Sequence, residues 1–145
     1  MRKLLIATHN PGKIREYQTL LADLPVTVTS LQAEGIEHDV EETGATFTEN
    51  AILKAKAYAQ LSGLWTWADD SGLEVDALDG RPGVYSARYA GPNTSDQDRY
   101  EKLLNELSEL PERPRTARFR CVVAIALSDE EIHTIDDTIE GEINM

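Results

Sequence analysis

The amino-acid sequence predicts an α/β fold in which strands of a sheet pack against helices. Short runs rich in apolar and β-branched residues alternate with longer stretches whose apolar residues recur at helical spacing. The first run enters a helical pattern through a tight polar loop, an arrangement typical of buried parallel strands. A chain of 145 residues is long enough for one domain with one hydrophobic core.

The composition restricts the partners of the protein. With 14 Lys and Arg residues against 26 Asp and Glu residues, the net charge is -12, which argues against a nucleic-acid partner. One cysteine excludes an intrachain disulfide framework and suits a reducing cytosol. No apolar run approaches transmembrane length, and the N-terminal one is too short for a signal peptide. We therefore expect a soluble cytoplasmic protein without a membrane partner, which could still bind a small anion.

The N-terminal part predicts a strand, a loop and a helix. Lys3–Thr8 is apolar and β-rich without a polar interruption, and an Asn-Pro-Gly turn signal follows it. Apolar residues at helical spacing then predict a helix that begins near Pro11 or Gly12. The helix N-terminus after this loop is a candidate anion site, because free backbone N–H groups and the helix dipole favour negative charge. Lys13 in the first turn is either solvated or faces that anion.

Two further elements precede the middle of the chain. Val26–Leu31 alternates apolar and hydroxyl residues and predicts a second strand, and the acidic stretch after it predicts a solvated loop. Thr46-Phe47-Thr48-Glu49 fits the capping box, so a helix is predicted from there to Gly63. From spacing alone, Asn50 and Lys54 read as ordinary helix surface. The predicted apolar stripe consists of Ile52, Ala55 and Ala59.

Two adjacent carboxylates dominate the middle of the chain. The apolar run Leu64–Ala68 predicts a short strand that ends at Asp69 and Asp70. Open α/β sheets bind ligands at the carboxyl ends of their strands, and hard cations prefer oxygen ligands. The pair therefore predicts a divalent-metal site. Leu73–Leu78 alternates strictly and predicts a separate strand.

The C-terminal part predicts a helix and a hairpin. A turn over Asp79–Gly83 leads to Arg88, whose guanidinium either clamps phosphate or forms a structural salt bridge. A helix begins at Ser95-Asp96-Gln97-Asp98. Thr116–Ser128 predicts the longest strand, and Glu131–Glu140 could return antiparallel to it. The predicted core stripe of the helix is Tyr100, Leu103, Leu104 and Leu107.

Five segments, in chain order, carry a resemblance to a known family. They are Thr8–Glu16, Glu41–Ala51 with Lys54-Ala55, Ala68–Leu73, Pro82–Gly91 and Ala117–Cys121. Together they resemble the motifs of the Ham1 family, the inosine and xanthosine triphosphate pyrophosphatases that clear non-canonical purine nucleotides. One such motif would be weak, but five in register span almost the whole chain.

The resemblance implies a Mg²⁺-dependent hydrolase of ITP, dITP or XTP, which cuts between the α and β phosphates to release the nucleoside monophosphate and pyrophosphate. It also implies an elongated mixed β-sheet flanked by helices, two lobes with a central cleft, and a homodimer. Glu41 or Glu42 would help to hold the metal, Asp70 would be the metal-linked general base, and Asp69 is a further candidate metal ligand. The implied substrate-binding residues are Thr8, His9, Asn10, Pro11, Gly12, Lys13, Asn50, Lys54, Ser71 and Arg88.

The sequence also departs from the family pattern near Met145. Asp137 stands where the first of two glycines is usual, and the family's Phe-Gly-Tyr-Asp loop, later lysine and Ser-His-Arg motif are not present. We therefore expect a single domain over residues 1–145 that is truncated at its C-terminal end. The alternative is a non-catalytic remnant that binds phosphate or metal weakly, or only dimerises. A more distant alternative is a Mg²⁺-dependent nucleotidyl or glycosyl transferase that uses Asp69 and Asp70 as metal ligands.

Overall fold

A computed structural model describes residues 2–89, 91, 95–127 and 130–144, without the side chains of residues 87 and 88. Five strands form one sheet in the order β2-β1-β3-β4-β5. The strands are β1 (Arg2–Ile6), β2 (Val26–Ser30), β3 (Trp65–Val75), β4 (Thr116–Ala126) and β5 (Ile132–Glu142). The helices are α1 (Pro11–Leu20), α2 (Phe47–Ser62) and α3 (Asp96–Ser108), with 3₁₀ segments at Asp76–Leu78 and Gly83–Arg88.

The sheet is mixed, which confirms the predicted α/β class. Strand β1 pairs in parallel with both β2 and β3. Strands β4 and β5 form the predicted antiparallel hairpin, since Leu127 donates to the Glu131 carbonyl at one end and Ile143 to the Arg115 carbonyl at the other. In the part of the chain that the structure describes, no helix is long and apolar enough to cross a membrane.

The chain divides into two compact units. Unit 1 comprises Met1–Asp70 and Val122–Asp136, and unit 2 comprises Ser71–Cys121 and Asp137–Met145. The first loop, α1, α2 and both adjacent carboxylates therefore belong to unit 1. The expectation of a single domain over residues 1–145 stays a prediction.

The core of unit 1 on one face of the sheet lies beneath α1. Four buried residues, Leu4, Ile6, Leu21 and Trp67, form its centre. Burial of these large apolar side chains is the main force that holds α1 on the strands. The partly buried residues packed against them are Ile14, Tyr17, Val26, Val28, Trp65, Val123 and Ile125.

Strand β3 corrects the prediction of two separate strands. It runs without a break from Trp65 to Val75, so the two carboxylates lie inside a strand and not at its end. The polar sequence suggested a loop, but in the fold each carboxylate gains a polar partner and tolerates burial. The register between β1 and β3 ends at Ile6 opposite Trp67. Asp69 and Asp70 thus lie beyond the carboxyl end of β1, where the first loop begins.

The buried face of α2 also differs from the predicted stripe. The buried side chains are Phe47, Asn50, Ala51, Ala55 and Tyr58, whereas Ile52 and Ala59 are only half-buried. Two of the buried residues are polar, and a prediction from apolar periodicity leaves such positions out. Both have hydrogen-bond partners in a neighbouring loop. The predicted N-cap and C-terminal glycine are confirmed, since the Thr46 hydroxyl accepts from Glu49 N and Gly63 is left-handed. The predicted capping box is incomplete, because the Glu49 carboxylate accepts from Ala45 N and not from Thr46 N.

Helix α3 begins with the predicted capping box. Asp98 N donates to the Ser95 hydroxyl, and Ser95 N donates to the Asp98 carboxylate, which lowers the pKa of that carboxylate. The predicted core stripe is too wide, because only Leu103 and Leu107 are buried. They pack with Val75, Ala77, Leu78 and Ala117 in the core of unit 2.

A carboxylate of unit 2 gives a prediction of pH-dependent stability. The Thr116 hydroxyl donates to Asp76 at 2.7 Å and Arg118 donates to it at 3.1 Å, and these two bonds lower the pKa of Asp76 from its ordinary 3.8. Its stabilising effect is therefore fully present above pH 3.8 and is lost as the pH falls through the folded-state pKa. We expect Asp76→Asn to lower the urea midpoint at pH 7, and the difference from wild type to vanish in acid.

The control for this measurement is Asp79→Asn. Asp79 is exposed and has a positive φ of 57°, which asparagine tolerates. This variant should unfold like the wild type at every pH. A loss of stability in Asp76→Asn that stays constant between pH 7 and pH 2 would contradict the role of the charged carboxylate.

Candidate functional site

The first loop ends at Asn10, whose side chain caps helix α1 by accepting hydrogen bonds from backbone N–H groups of that helix. The side chain of Asn10 accepts from Gly12 N at 2.9 Å and from Lys13 N at 3.3 Å, and Ile14 N donates to the Asn10 carbonyl at 3.2 Å. Pro11 has no N–H group. The N–H groups of Gly12, Lys13 and Ile14 thus have partners within the cap and are not free donors in this structure. The predicted anion site at this helix N-terminus stays a prediction.

Asp69 holds one such cation. Its carboxylate is 4% exposed, lies 3.1 Å from Lys13 Nζ and accepts a 2.7 Å hydrogen bond from the Tyr17 hydroxyl. Burial makes such a pair costly to break, since either partner alone would be an uncompensated charge. In this geometry Asp69 positions Lys13, and its predicted role as a metal ligand stays a prediction. Tyr17 is one of the residues at helical spacing that predict α1. Only the fold shows that its hydroxyl binds the carboxylate of Asp69.

Asp70 lies on the opposite face of β3, because successive strand residues alternate. Asp70 is 7% exposed and accepts a 3.1 Å hydrogen bond from the amide of Asn50 on α2. Asn50 is 1% exposed, and its amide oxygen accepts from Gly44 N at 2.7 Å. Asn50 thus bridges a loop and a strand through protein contacts. In the structure Asn50 supports the carboxylate of Asp70, and its predicted role as a substrate contact stays a prediction.

The acidic loop over residues 36–45 lies antiparallel to α2. Residues along one side of the helix bind successive positions of the loop in reverse order, which is why the loop is ordered and not simply solvated. The predicted helix surface is therefore an internal interface. One sequence signal could have indicated this interface. Polar residues recur at helical spacing along α2, and an acidic segment that contains glycine precedes the helix. The contacts are Glu49 to Ala45 N, Asn50 to Gly44 N, Lys54 to Glu42, and Tyr58 to Val40 N and the His38 carbonyl.

A polar cavity of about 260 Å³ opens in unit 1 between these parts. Two ammonium groups, from Lys13 and Lys54, face three carboxylates, from Asp39, Glu42 and Asp69. The excess of negative charge would repel an anion alone, but a bound cation would reverse the balance. The other lining residues are Ala7, Thr8, His9, Asn10, Val40 and Tyr58.

The cavity distinguishes the two candidate glutamates. Glu42 lines it, and its Oε1 lies 2.8 Å from Lys54 Nζ, whereas Glu41 is exposed and is not among the lining residues. Among the residues that the structure describes, no three His, Cys, Asp or Glu side chains converge as a metal cluster. The carboxylate oxygens of Glu42 and Asp39 in the cavity are of the type that Mg²⁺ takes, since this ion binds one or two carboxylates and completes its octahedron with water and substrate phosphates.

Several predicted site residues lie elsewhere. Pro11 and Gly12 belong to the first turn of α1 and do not line the cavity, and neither do Asn50 and Asp70. Ser71 belongs to unit 2, where it lines a separate cavity of about 340 Å³ with Leu73 and Ser86. The side chain of Arg88 lies outside the described part of the structure, so the choice between phosphate clamp and salt bridge stays open.

Comparison with known proteins gives consistent matches. The model of the Ham1 family matches residues 4–145. The dITP/XTP pyrophosphatase of Bacillus subtilis is 49% identical over 143 residues, which cover 99% of this chain and 72% of that protein. The enzyme of the same name from Geobacter sulfurreducens is 48% identical, with the same two coverages.

Solved structures match the fold over nearly the whole chain. A HAM1 protein from Coxiella burnetii superposes with a TM-score of 0.93 at 40% identity and covers 99% of this chain and 73% of that one. The Ham1 protein of Staphylococcus aureus has a TM-score of 0.88 at 45% identity, with coverages of 99% and 72%. These similarities extend over both compact units.

Proposed function

Because this chain belongs to the Ham1 family, we propose that it is a nucleoside triphosphate pyrophosphatase that acts on non-canonical purine nucleotides. Its substrates would be ITP, dITP and XTP, and its products the nucleoside monophosphate and pyrophosphate. The names of the Bacillus and Geobacter relatives support dITP and XTP. The observation that carries the proposal is the cavity of unit 1, in which Lys13, Lys54 and Glu42 meet beside the first loop.

The two lysines are suited to the phosphates. Asp69 holds the ammonium group of Lys13, and Glu42 holds that of Lys54, so both cations are oriented before a ligand arrives. Phosphoryl transfer needs charge neutralisation on the phosphate oxygens and little covalent chemistry from the protein. The loop residues Thr8, His9 and Asn10 line the same cavity and would contact the triphosphate.

Mg²⁺ is the cofactor that this donor set suits. Glu42, which lines the cavity, and Asp70, which lies beside Asn50 and does not line it, would be its protein ligands. Their oxygen atoms are of the hard type that Mg²⁺ prefers. When bound, the ion would neutralise phosphate charge and make a coordinated water more acidic. Asp70 would accept the proton of the attacking water, while the amide of Asn50 fixes the orientation of its carboxylate.

The direct test measures pyrophosphate release by the purified chain. We expect Mg²⁺-dependent release of equimolar monophosphate and pyrophosphate from ITP, dITP and XTP, at kcat/KM about tenfold or more above ATP and GTP. EDTA should abolish the reaction. A metal-independent rate, or release of orthophosphate in place of pyrophosphate, would contradict the proposal. Binding of nucleotides without turnover would instead support the non-catalytic alternative.

The assembly and location of the protein are also proposed and not observed. The family resemblance implies a homodimer, and the composition suggests the cytoplasm. The single cysteine, Cys121, is half-buried, and a chain with one cysteine forms no intrachain disulfide, which agrees with a reducing environment. Both statements stay predictions.

A further inference from the structure

Tyr58 on α2 binds two backbone groups of the acidic loop. Its side chain is 2% exposed, and its hydroxyl donates to the His38 carbonyl at 2.9 Å and accepts from Val40 N at 3.1 Å. Burial raises the pKa of Tyr58, and the nearby charges of Asp39 and Glu42 raise it further. The hydroxyl thus keeps its proton, and with it both hydrogen bonds, at neutral pH.

The same tyrosine connects the acidic loop with the first loop. The Nε2 atom of His9 lies 3.3 Å from the His38 carbonyl oxygen that Tyr58 also binds. The imidazole packs edge-on against the phenol ring, with centroids 6.5 Å apart and an interplanar angle of 77°. Three segments of unit 1 therefore meet at one carbonyl group. His9 and Tyr58 both line the cavity.

Glu42 lies midway between two anchors of its loop. Two residues before it, Val40 N donates to the Tyr58 hydroxyl, and two residues after it, Gly44 N donates to Asn50. The anchor at Asn50 also supports Asp70, so its loss would alter the proposed base. The anchor at Tyr58 joins the helix to the His38 carbonyl and to Val40 N and can be tested separately.

We propose that Tyr58 is a positioning residue that orders Glu42 and His9 for the metal–triphosphate complex. This inference rests on the proposed function of the cavity. Without the hydroxyl, the loop before Glu42 would lose two backbone anchors and would have to be ordered when metal and substrate bind. The loss should then appear as weaker binding of both, because neither hydrogen bond involves the reacting groups.

The test is Tyr58→Phe, which keeps the ring and removes only the hydroxyl. We expect the Mg²⁺ concentration for half-maximal activity and the KM for ITP each to rise about tenfold, a change typical of one or two net hydrogen bonds. The kcat at saturating Mg²⁺ and ITP should stay within about twofold of wild type. The split between KM and kcat separates loop ordering from a general loss of structure.

Thr66→Val is the matched control. The Thr66 hydroxyl is fully buried in β3 and donates to the Leu64 carbonyl at 3.0 Å, yet Thr66 does not line the cavity. This variant also loses one buried hydroxyl–carbonyl bond but should leave both constants unchanged. An equal rise in both variants, or unchanged constants in Tyr58→Phe, would overturn the positioning role.

A binding measurement distinguishes this proposal from the proposed function. Calorimetry with magnesium pyrophosphate as the probe reports affinity without turnover. If the wild-type chain hydrolyses nothing, the proposed activity fails, yet about tenfold weaker binding in Tyr58→Phe would still support the positioning role. Equal affinity of Tyr58→Phe and wild type would overturn it.

Discussion

Replacement of Asp70 by asparagine is expected to lower kcat for pyrophosphate release by about three orders of magnitude. Asparagine has the shape of aspartate but can neither accept a proton from water nor contribute a negative charge to Mg²⁺. Its amide oxygen can still accept the hydrogen bond that Asn50 donates, so the variant should fold. Initial rates at saturating Mg²⁺ and ITP, together with a thermal unfolding curve, measure both expectations.

Asp76→Asn serves as the control for this experiment. It removes a carboxylate of unit 2 that binds Thr116 and Arg118 and has no proposed role in metal or substrate binding. It should retain the wild-type kcat at pH 7 at temperatures where it is folded. If Asp70→Asn kept the wild-type rate as well, Asp70 would not be the base, and another group would have to accept the proton.

The sequence predicted the elements whose signals are local. The Asn-Pro-Gly turn, the Thr46 cap, the Ser95 capping box and the left-handed Gly63 each depend on residues within one helical turn, and the structure confirms all of them. Strand β1 and the hairpin of β4 with β5 were predicted from runs of apolar or alternating residues. Such signals do not require knowledge of which distant segments meet.

The predictions were wrong where the environment of a residue depends on a partner that is distant in the sequence. A strand was not predicted to continue through Asp69 and Asp70, because two carboxylates are unfavourable in a sheet unless partners such as Lys13 and Asn50 reach them. In the same way, the polar face of α2 was interpreted as surface because its partner loop has no periodic pattern of its own. The resemblance to a family supplied candidate site residues, but not which of them support others.

A residue of α2, Asn50, connects the acidic loop to Asp70, the proposed base. One side chain, Asn50, binds Gly44 N with its oxygen and Asp70 with its nitrogen, and it is buried between them. Any displacement of the loop at Gly44 therefore reaches Asp70 through a single amide group. Tyr58 and Lys54 hold the same loop at other points without this connection. We therefore expect loss of the contacts of Tyr58 or Lys54 to affect binding, and displacement of the loop at Gly44 to affect kcat.

Gly44→Ala tests this connection by steric means. A Cβ atom at Gly44 would lie 2.7 Å from the Asn50 amide oxygen and 2.8 Å from the Glu49 Cβ, closer than such atoms can approach. The loop must therefore move and break the hydrogen bond from Gly44 N to Asn50. We expect the free energy of unfolding to fall by about 1–3 kcal/mol, as is usual for overpacking and an unsatisfied buried amide. Because the amide of Asn50 also shifts relative to Asp70, we expect kcat to fall about 10- to 100-fold.

Gly141→Ala is the control, because a Cβ atom at Gly141 in β5 would meet no atom within 4 Å. This variant should match the wild type in urea unfolding and in kcat. If Gly44→Ala lost stability but kept the wild-type kcat, the loop would be structural, and Asn50 would not transmit its position to Asp70. A rise in KM with unchanged kcat would point instead to Glu42, which lies in the same loop. The two kinetic constants thus identify which of the two carboxylates depends on the contact between Gly44 and Asn50.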